Sequence, residues 1–207
     1  LDLVDTFKTI ACASPETLFK EKNSKFFGYA FPILSENEVK PLIEPLRKKH
    51  FNAVHFCYGF QTGIDPISFR TNDDGEPSNS AGMPIYGQIQ SFDVTNVLIV
   101  VVRYFGGTKL GIGGLISAYK TTAQLTLEAS TIIEKTIDVH YCIAFDYKNM
   151  NKVMRVIKEK NITIIAQKME MNCEMEIATR KKNAEMIFDI FNSMFEIEIK
   201  KKIMPIN

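Results

Sequence analysis

Val97-Leu98-Ile99-Val100-Val101-Val102-Arg103-Tyr104-Phe105-Gly106-Gly107-Thr108-Lys109-Leu110-Gly111-Ile112-Gly113-Gly114 organises the first half of this chain. Six apolar residues in a row, four of them valine, have no polar face to turn to water. Such a run predicts a strand covered on both sides. The glycines that follow end the strand, and Leu115–Ala129 reads as a helix. Strand, glycine turn and helix thus come in sequence. Outward from this unit, Val54, Phe56, Tyr58 and Phe60 alternate within Asn52–Thr62, the period of a strand. Thr17–Asn23 and Ser24–Ile33 read as two more, joined by a turn at Asn23. Ser35-x-x-Glu38 is a capping-box pattern for a following helix, but Pro41 and Pro45 argue against an uninterrupted one. Residues from Asp65 to Pro84 collect most of the turn formers and predict a long loop. Loops of that length in a compact domain are often functional.

The second half has a more regular rhythm. Ile137, Val139, Tyr141, Ile143 and Phe145 alternate; Met150, Val153, Met154 and Ile157 then fall at i, i+3, i+4, i+7. Ile162–Met169 and Cys173–Thr179 return to strand chemistry. Ala184, Ile187, Phe188 and Phe191 repeat the helical spacing, and Phe195, Ile197 and Ile199 alternate again. The order is β-α-β-β-α-β, the ferredoxin-like arrangement. With a boundary in Ser130–Thr136, the reading is a two-domain α+β chain, residues 1–132 and 136–207.

Composition narrows the function classes. With 207 residues, 45% hydrophobic and 24% charged, the chain has the balance of a globular protein and enough length to bury a core without staples. A net charge of +1 means that any nucleic-acid contact must come from a local patch. The four cysteines, Cys12, Cys57, Cys142 and Cys173, are far apart, which suits neither a zinc site nor a disulfide framework and points to a reducing, cytoplasmic setting. The longest apolar run is far short of the ~18 residues of a membrane span. Charge mixed into the first residues predicts no signal peptide.

Three clusters carry chemistry. Asp73, Asp74 and Glu76, in Asn72-Asp73-Asp74-Gly75-Glu76-Pro77, are able to hold a hard cation such as Mg²⁺. Turn chemistry accounts for their spacing without a ligand, if they bond the loop's own amides or cap the helix that begins near Met83, and that reading comes first. The glycine turn, with Gly106, Gly107, Gly111, Gly113 and Gly114 leading into a helix, suits an anion such as phosphate. Arg103 and Lys109 would add charge there, and Tyr104 or Phe105 a face for base stacking. The same glycines are also able to serve only close packing. Third, His55 and Cys57 share one face of a strand; a hydrogen-bonded histidine beside a buried cysteine accounts for them better than a nucleophile and base would.

Asp73-Asp74-Gly75-Glu76-Pro77, Ala81-Gly82-x-Pro84, the run Val100–Leu115 with its glycines, and Ala118-Tyr119 together resemble the signature of the YigZ/IMPACT family. His55-x-Cys57 and Lys22-x-Ser24-Lys25-Phe26 are similar to it too. The resemblance implies an N-terminal domain like domain 2 of ribosomal protein S5. It also implies a ferredoxin-like C-terminal domain similar to those of elongation factor G. Eukaryotic relatives with this first domain regulate translation by competing for an activator of an initiation-factor kinase. The function implied is therefore binding without catalysis, of RNA, the ribosome or a translation-related protein. The alternatives are a Mg²⁺-dependent enzyme acting on a phosphorylated metabolite or nucleotide, and a protein–protein regulator.

Overall fold

The computed structural model describes residues 5–202. Within them, Phe7–Lys135 form one compact unit; Asp5, Thr6 and the chain from Thr136 form the other. The protein is α+β in both.

In the first unit, β1 (Thr6–Ile10) pairs with β7 (Ile132–Thr136) in a two-stranded ribbon. The main sheet is antiparallel, ordered β2 (Thr17–Glu21), β3 (Ser24–Pro32), β6 (Val97–Tyr104), β4 (His55–Thr62), β5 (Ser68–Asn72). α1 (Val39–Lys49) packs on one face, and α2 (Gly82–Ser91) with α3 (Gly111–Glu128) on the other. β6 sits at the centre, as its composition demands. Val97, Ile99 and Val101 join the core with α2 and α3, while Leu98, Val100 and Val102 join the core with α1. All six are fully buried. The β2–β3 hairpin closes on Lys22 and Asn23, both at positive φ, the two-residue turn whose twist matches the flanking strands.

Two expectations needed correction. α1 runs through both prolines. Pro41 lies in the first turn, where its missing N–H has no helical partner to lose, and burial of Val39, Ile43 and Leu46 outweighs the one interior bond removed at Pro45. The 65–84 loop is interrupted by β5, an exposed edge strand whose pattern lacks a buried face to betray it. Most of the Ser130–Thr136 segment is β7, a strand recognisable only through its partner β1.

A buried histidine links stability to pH. His50 is 5% exposed, with Tyr104 Oη 3.0 Å from Nδ1 and Tyr29 Oη bonded to Nε2. Desolvation by burial pulls its pKa below the ordinary 6.5, so the folded state prefers the neutral ring. The unfolded chain therefore binds the proton first, and this part of the stability is present above pH ~6.5 and declines as pH falls below it. Urea midpoints should fall between pH 7 and 5, and His50→Gln should flatten that slope. An equal slope in the variant would dismiss His50 as its source.

In the second unit, β8 (Asp138–Asp146), α4 (Met150–Glu159), β9 (Thr163–Lys168), β10 (Asn172–Arg180), α5 (Ala184–Asn192) and β11 (Ile197–Lys201) follow one another. They build an antiparallel sheet of order β11-β8-β10-β9, the ferredoxin-like arrangement the periodicity predicts. Tyr141, Ile143, Cys173, Met175, Ile177, Ile197 and Ile199 face both helices in one core. Phe195 is not part of the last strand: Glu196 adopts φ 64°, and Phe195 is left 86% exposed. No helix among the described residues is long and apolar enough to cross a membrane.

Candidate functional site

The register of the main sheet sets Phe26 on β3, Arg103 on β6 and His55 on β4 directly beside one another. Strand alternation sends all three toward the face that carries α2 and α3. Two groups meet this row. Glu76 Oε1, in a side chain 4% exposed, accepts from Arg103 Nη1 at 2.6 Å and from Tyr119 Oη of α3 at 2.7 Å. Tyr119 stands edge-on to Phe26, 5.2 Å between centroids, and the Arg103 guanidinium lies over the same Phe26 ring and over Phe105. His55 donates Nδ1–H to the Asp74 carbonyl at 2.8 Å, leaving Nε2 3.9 Å from Glu76. Cys57, two residues along the same face, donates its thiol to the Asp73 carbonyl at 3.0 Å and lies 3.3 Å from Tyr119 Oη. Burial pushes the Cys57 thiol well up, and burial together with Cys57 and Glu76 does the same to the Tyr119 phenol. Both groups stay protonated, so neither is an activated nucleophile.

The acidic loop divides its carboxylates among three tasks. Asp73 accepts from the amides of Asn79, Ala81 and Gly82 at 2.8–2.9 Å, which caps the start of α2. Asp74 accepts from the Phe56 amide at 2.7 Å and pairs with Arg47 at 3.1 Å, and its own amide bonds Asn72 Oδ1. Glu76 belongs to the buried row. Among the described residues no three potential ligands converge as a cation would require. Local turn and cap chemistry accounts for the spacing of these carboxylates.

The glycine turn uses its glycines differently one by one. Gly106 donates its amide to Ser24 Oγ at 3.2 Å, and a Cβ there would sit 2.1 Å from the Asn23 backbone. Gly107 and Gly111 adopt φ 84° and 72° with open space around them, and Gly113 is open too. Gly114 packs on Leu110. No side chain caps α3. Phe105 is 49% and Ile112 60% exposed, and Lys109 is exposed.

Acidic loop and glycine turn therefore meet, through Glu76, at the strand residue that leads into the turn. Two candidates are placed otherwise than a phosphate site needs. Arg103 is 5% exposed and committed to Glu76. Tyr104, one residue on, points to the opposite face, where it packs on Phe27 and bonds His50; strand alternation forbids the two a common site. Phe105, Lys109, Gly107, Gly111 and Gly113 remain at the surface. Tyr119 and Phe26 are the partners that residue chemistry alone did not single out. Both stand in the motifs that carry the family resemblance, and a tyrosine four residues after Leu115 on a buried helical stripe needs a hydroxyl partner.

The comparisons bear on the family and the fold. The model of the Impact N-terminal domain matches residues 22–127, which include Ser24, Phe26, His55, Glu76, Arg103 and Tyr119. IMPACT family member YvyE of Bacillus subtilis (strain 168) is 29% identical over 180 residues, 87% of this chain and 82% of that one. IMPACT family member YigZ of Escherichia coli (strain K12) is 31% identical over 156 residues, 74% of this chain and 76% of that one. A crystal structure described as that of a hypothetical protein covers 98% of this chain and 100% of its own, with TM-score 0.71 and 23% identity. On the matched domain and these relatives, the chain belongs to the IMPACT family.

Proposed function

We propose that this protein is a non-catalytic binding protein of translation regulation, and that it holds RNA, free or ribosomal, through the glycine turn. The observation that carries the reading is a division of labour within the site. Cys57, Tyr119, Glu76 and Arg103 are buried and bonded internally, and half-buried His55 is held by the Asp74 carbonyl, whereas the turn they brace is open. Phe105 offers an aromatic face, Lys109 a charge, and the uncapped start of α3 its amides. Aromatic stacking and backbone charge contacts together are the usual means of holding unpaired nucleotides. The family supports the translation setting, since its eukaryotic members act there. No observation favours the reading as a Mg²⁺-dependent enzyme, because Asp73 and Asp74 already serve amides and Arg47.

Binding of RNA and of ribosomes across a salt series is the test. Phe105→Ala should weaken RNA binding by about 1–3 kcal/mol if one base stacks there. Lys109→Ala should weaken it evenly across sequences and reduce the salt slope by about 1. A parent protein that binds neither RNA nor ribosomes at low salt sinks the reading.

A further inference from the structure

One end of the second unit's sheet carries an apolar hollow that the fold does not fill. Tyr147, Met169 and Met171 line an open cavity of about 650 Å³ where the β9–β10 turn meets the end of β8. Tyr147 donates its amide to the Met171 carbonyl at 3.1 Å, and Asn172 pairs with Asp146, which fixes the two segments side by side. The three side chains are 64%, 40% and 89% exposed. A second cavity, of about 490 Å³, shares Asp146 and Asn172 with the first. Register accounts for its shape. Ala144 on β8 stands between Glu174 on β10 and Glu198 on β11, on the face opposite the core that the helices cover. A small residue between two long ones leaves a trough. Its acids are Asp146, Glu174, Glu196 and Glu198, and none of its described lining residues is a cation.

Hollow and trough together carry five carboxylates, Glu170 being the fifth. The lysines within reach, Lys148, Lys168 and Lys200, pair with Asp146, Glu196, Glu170 and Glu198 at 2.7–3.5 Å. Glu174 has no side-chain partner among the described residues. All these groups are exposed, so the pairs hold weakly and exchange readily for other cations. Further cations of the unit lie elsewhere, Lys152, Arg155 and Lys158 on α4, and Arg180, Lys181 and Lys182 at the far end of β10.

We infer that this surface docks a basic amphipathic segment of a protein partner, with an apolar anchor among Tyr147, Met169 and Met171 and its lysines or arginines along the trough. Methionine suits the first task, because its flexible, polarisable side chain moulds to an anchor. Charge selects the occupant. RNA and anionic lipid would meet the carboxylates and be repelled, and a second copy seated on the same patch would set carboxylate against carboxylate. A metal ion is not indicated, since no three potential ligands converge among the described residues. The inference is independent of the RNA reading above, which concerns the other unit.

The test uses the full chain and a labelled amphipathic peptide of leucine and lysine, beside an analogue with glutamate in place of lysine. The parent should bind the lysine peptide, less tightly as salt rises, and the glutamate analogue about tenfold more weakly or worse. Met171→Ser combined with Tyr147→Ser should lose about tenfold in affinity for the lysine peptide. Glu174→Gln combined with Glu198→Gln should flatten the salt dependence. All four side chains are exposed, so both variants should melt with the parent. A parent that binds neither peptide at low salt, or binds both alike, overturns the inference without recourse to a variant. Equal binding by the parent and the serine variant overturns it too, because the hollow would then be idle, as does an unchanged salt dependence in the glutamine variant. A parent dimer that the serine variant dissolves would assign the surface to a second copy. Phosphatidylserine vesicles bound by the parent and not by that variant would assign it to lipid. Either result replaces the basic segment. Oligouridine binding by the parent is read separately: its failure sinks the RNA reading and leaves this inference standing.

Discussion

Glu76→Gln should cost the first unit about 3–5 kcal/mol, the penalty for leaving one member of a buried ion pair without its partner. Arg103 is 5% exposed and its Nε already lacks a bond. Glutamine retains an acceptor for Nη1 and for Tyr119, but not the charge that offsets the guanidinium in a site from which water is largely excluded. Arg103→Met tests the same pair from the other side and should also destabilise, since it strands the carboxylate. The double variant should recover most of the loss, because replacing both charges removes the desolvation penalty along with the attraction. Hydrogen exchange of the β6 amides in the full chain would read the local effect. Protection in Glu76→Gln equal to that of the parent would show that the pair is not what braces the glycine turn.

Gly106→Ala should be the more disruptive of two superficially similar changes. A methyl there would lie 2.1–2.4 Å from the backbone of Asn23 and Ser24, atoms that cannot rotate away as a side-chain end would. The hairpin must therefore leave the glycine turn, with a loss at or above the upper end of the ~1–3 kcal/mol typical of overpacking. Gly113→Ala is the control. Its Cβ would enter open space at a helical position, and alanine should stabilise by up to about 1 kcal/mol. Melting temperatures of the two variants should move in opposite directions. A Gly106→Ala protein as stable as the parent would mean that the contact with Asn23 relaxes freely.

The contrast between these glycines shows how much of the candidate site is written in local sequence. Sequence establishes that a turn follows β6 and that several glycines are needed. It does not say that Gly106 admits a neighbouring hairpin while Gly113 faces solvent, because the neighbour is 82 residues away along the chain. Arg103 and Tyr104 carry the opposite lesson. Their separation to two faces follows from strand alternation alone, yet residue chemistry taken without that parity groups them at one phosphate site.

Apolar periodicity determined the main elements of both units, including the doubly covered β6 and the β-α-β-β-α-β order of the second half. Burial of a patterned face is a local demand that each segment states for itself. Only the tertiary structure decided what lacks such a face or depends on a distant partner. The edge strand β5 and the β1–β7 ribbon are of this kind, as is the commitment of Glu76 to Arg103 and Tyr119 rather than to a cation. Their shared cause is that hydrogen bonds and charge pairs are satisfied between chain segments, and which segments meet is settled by packing of the whole sheet.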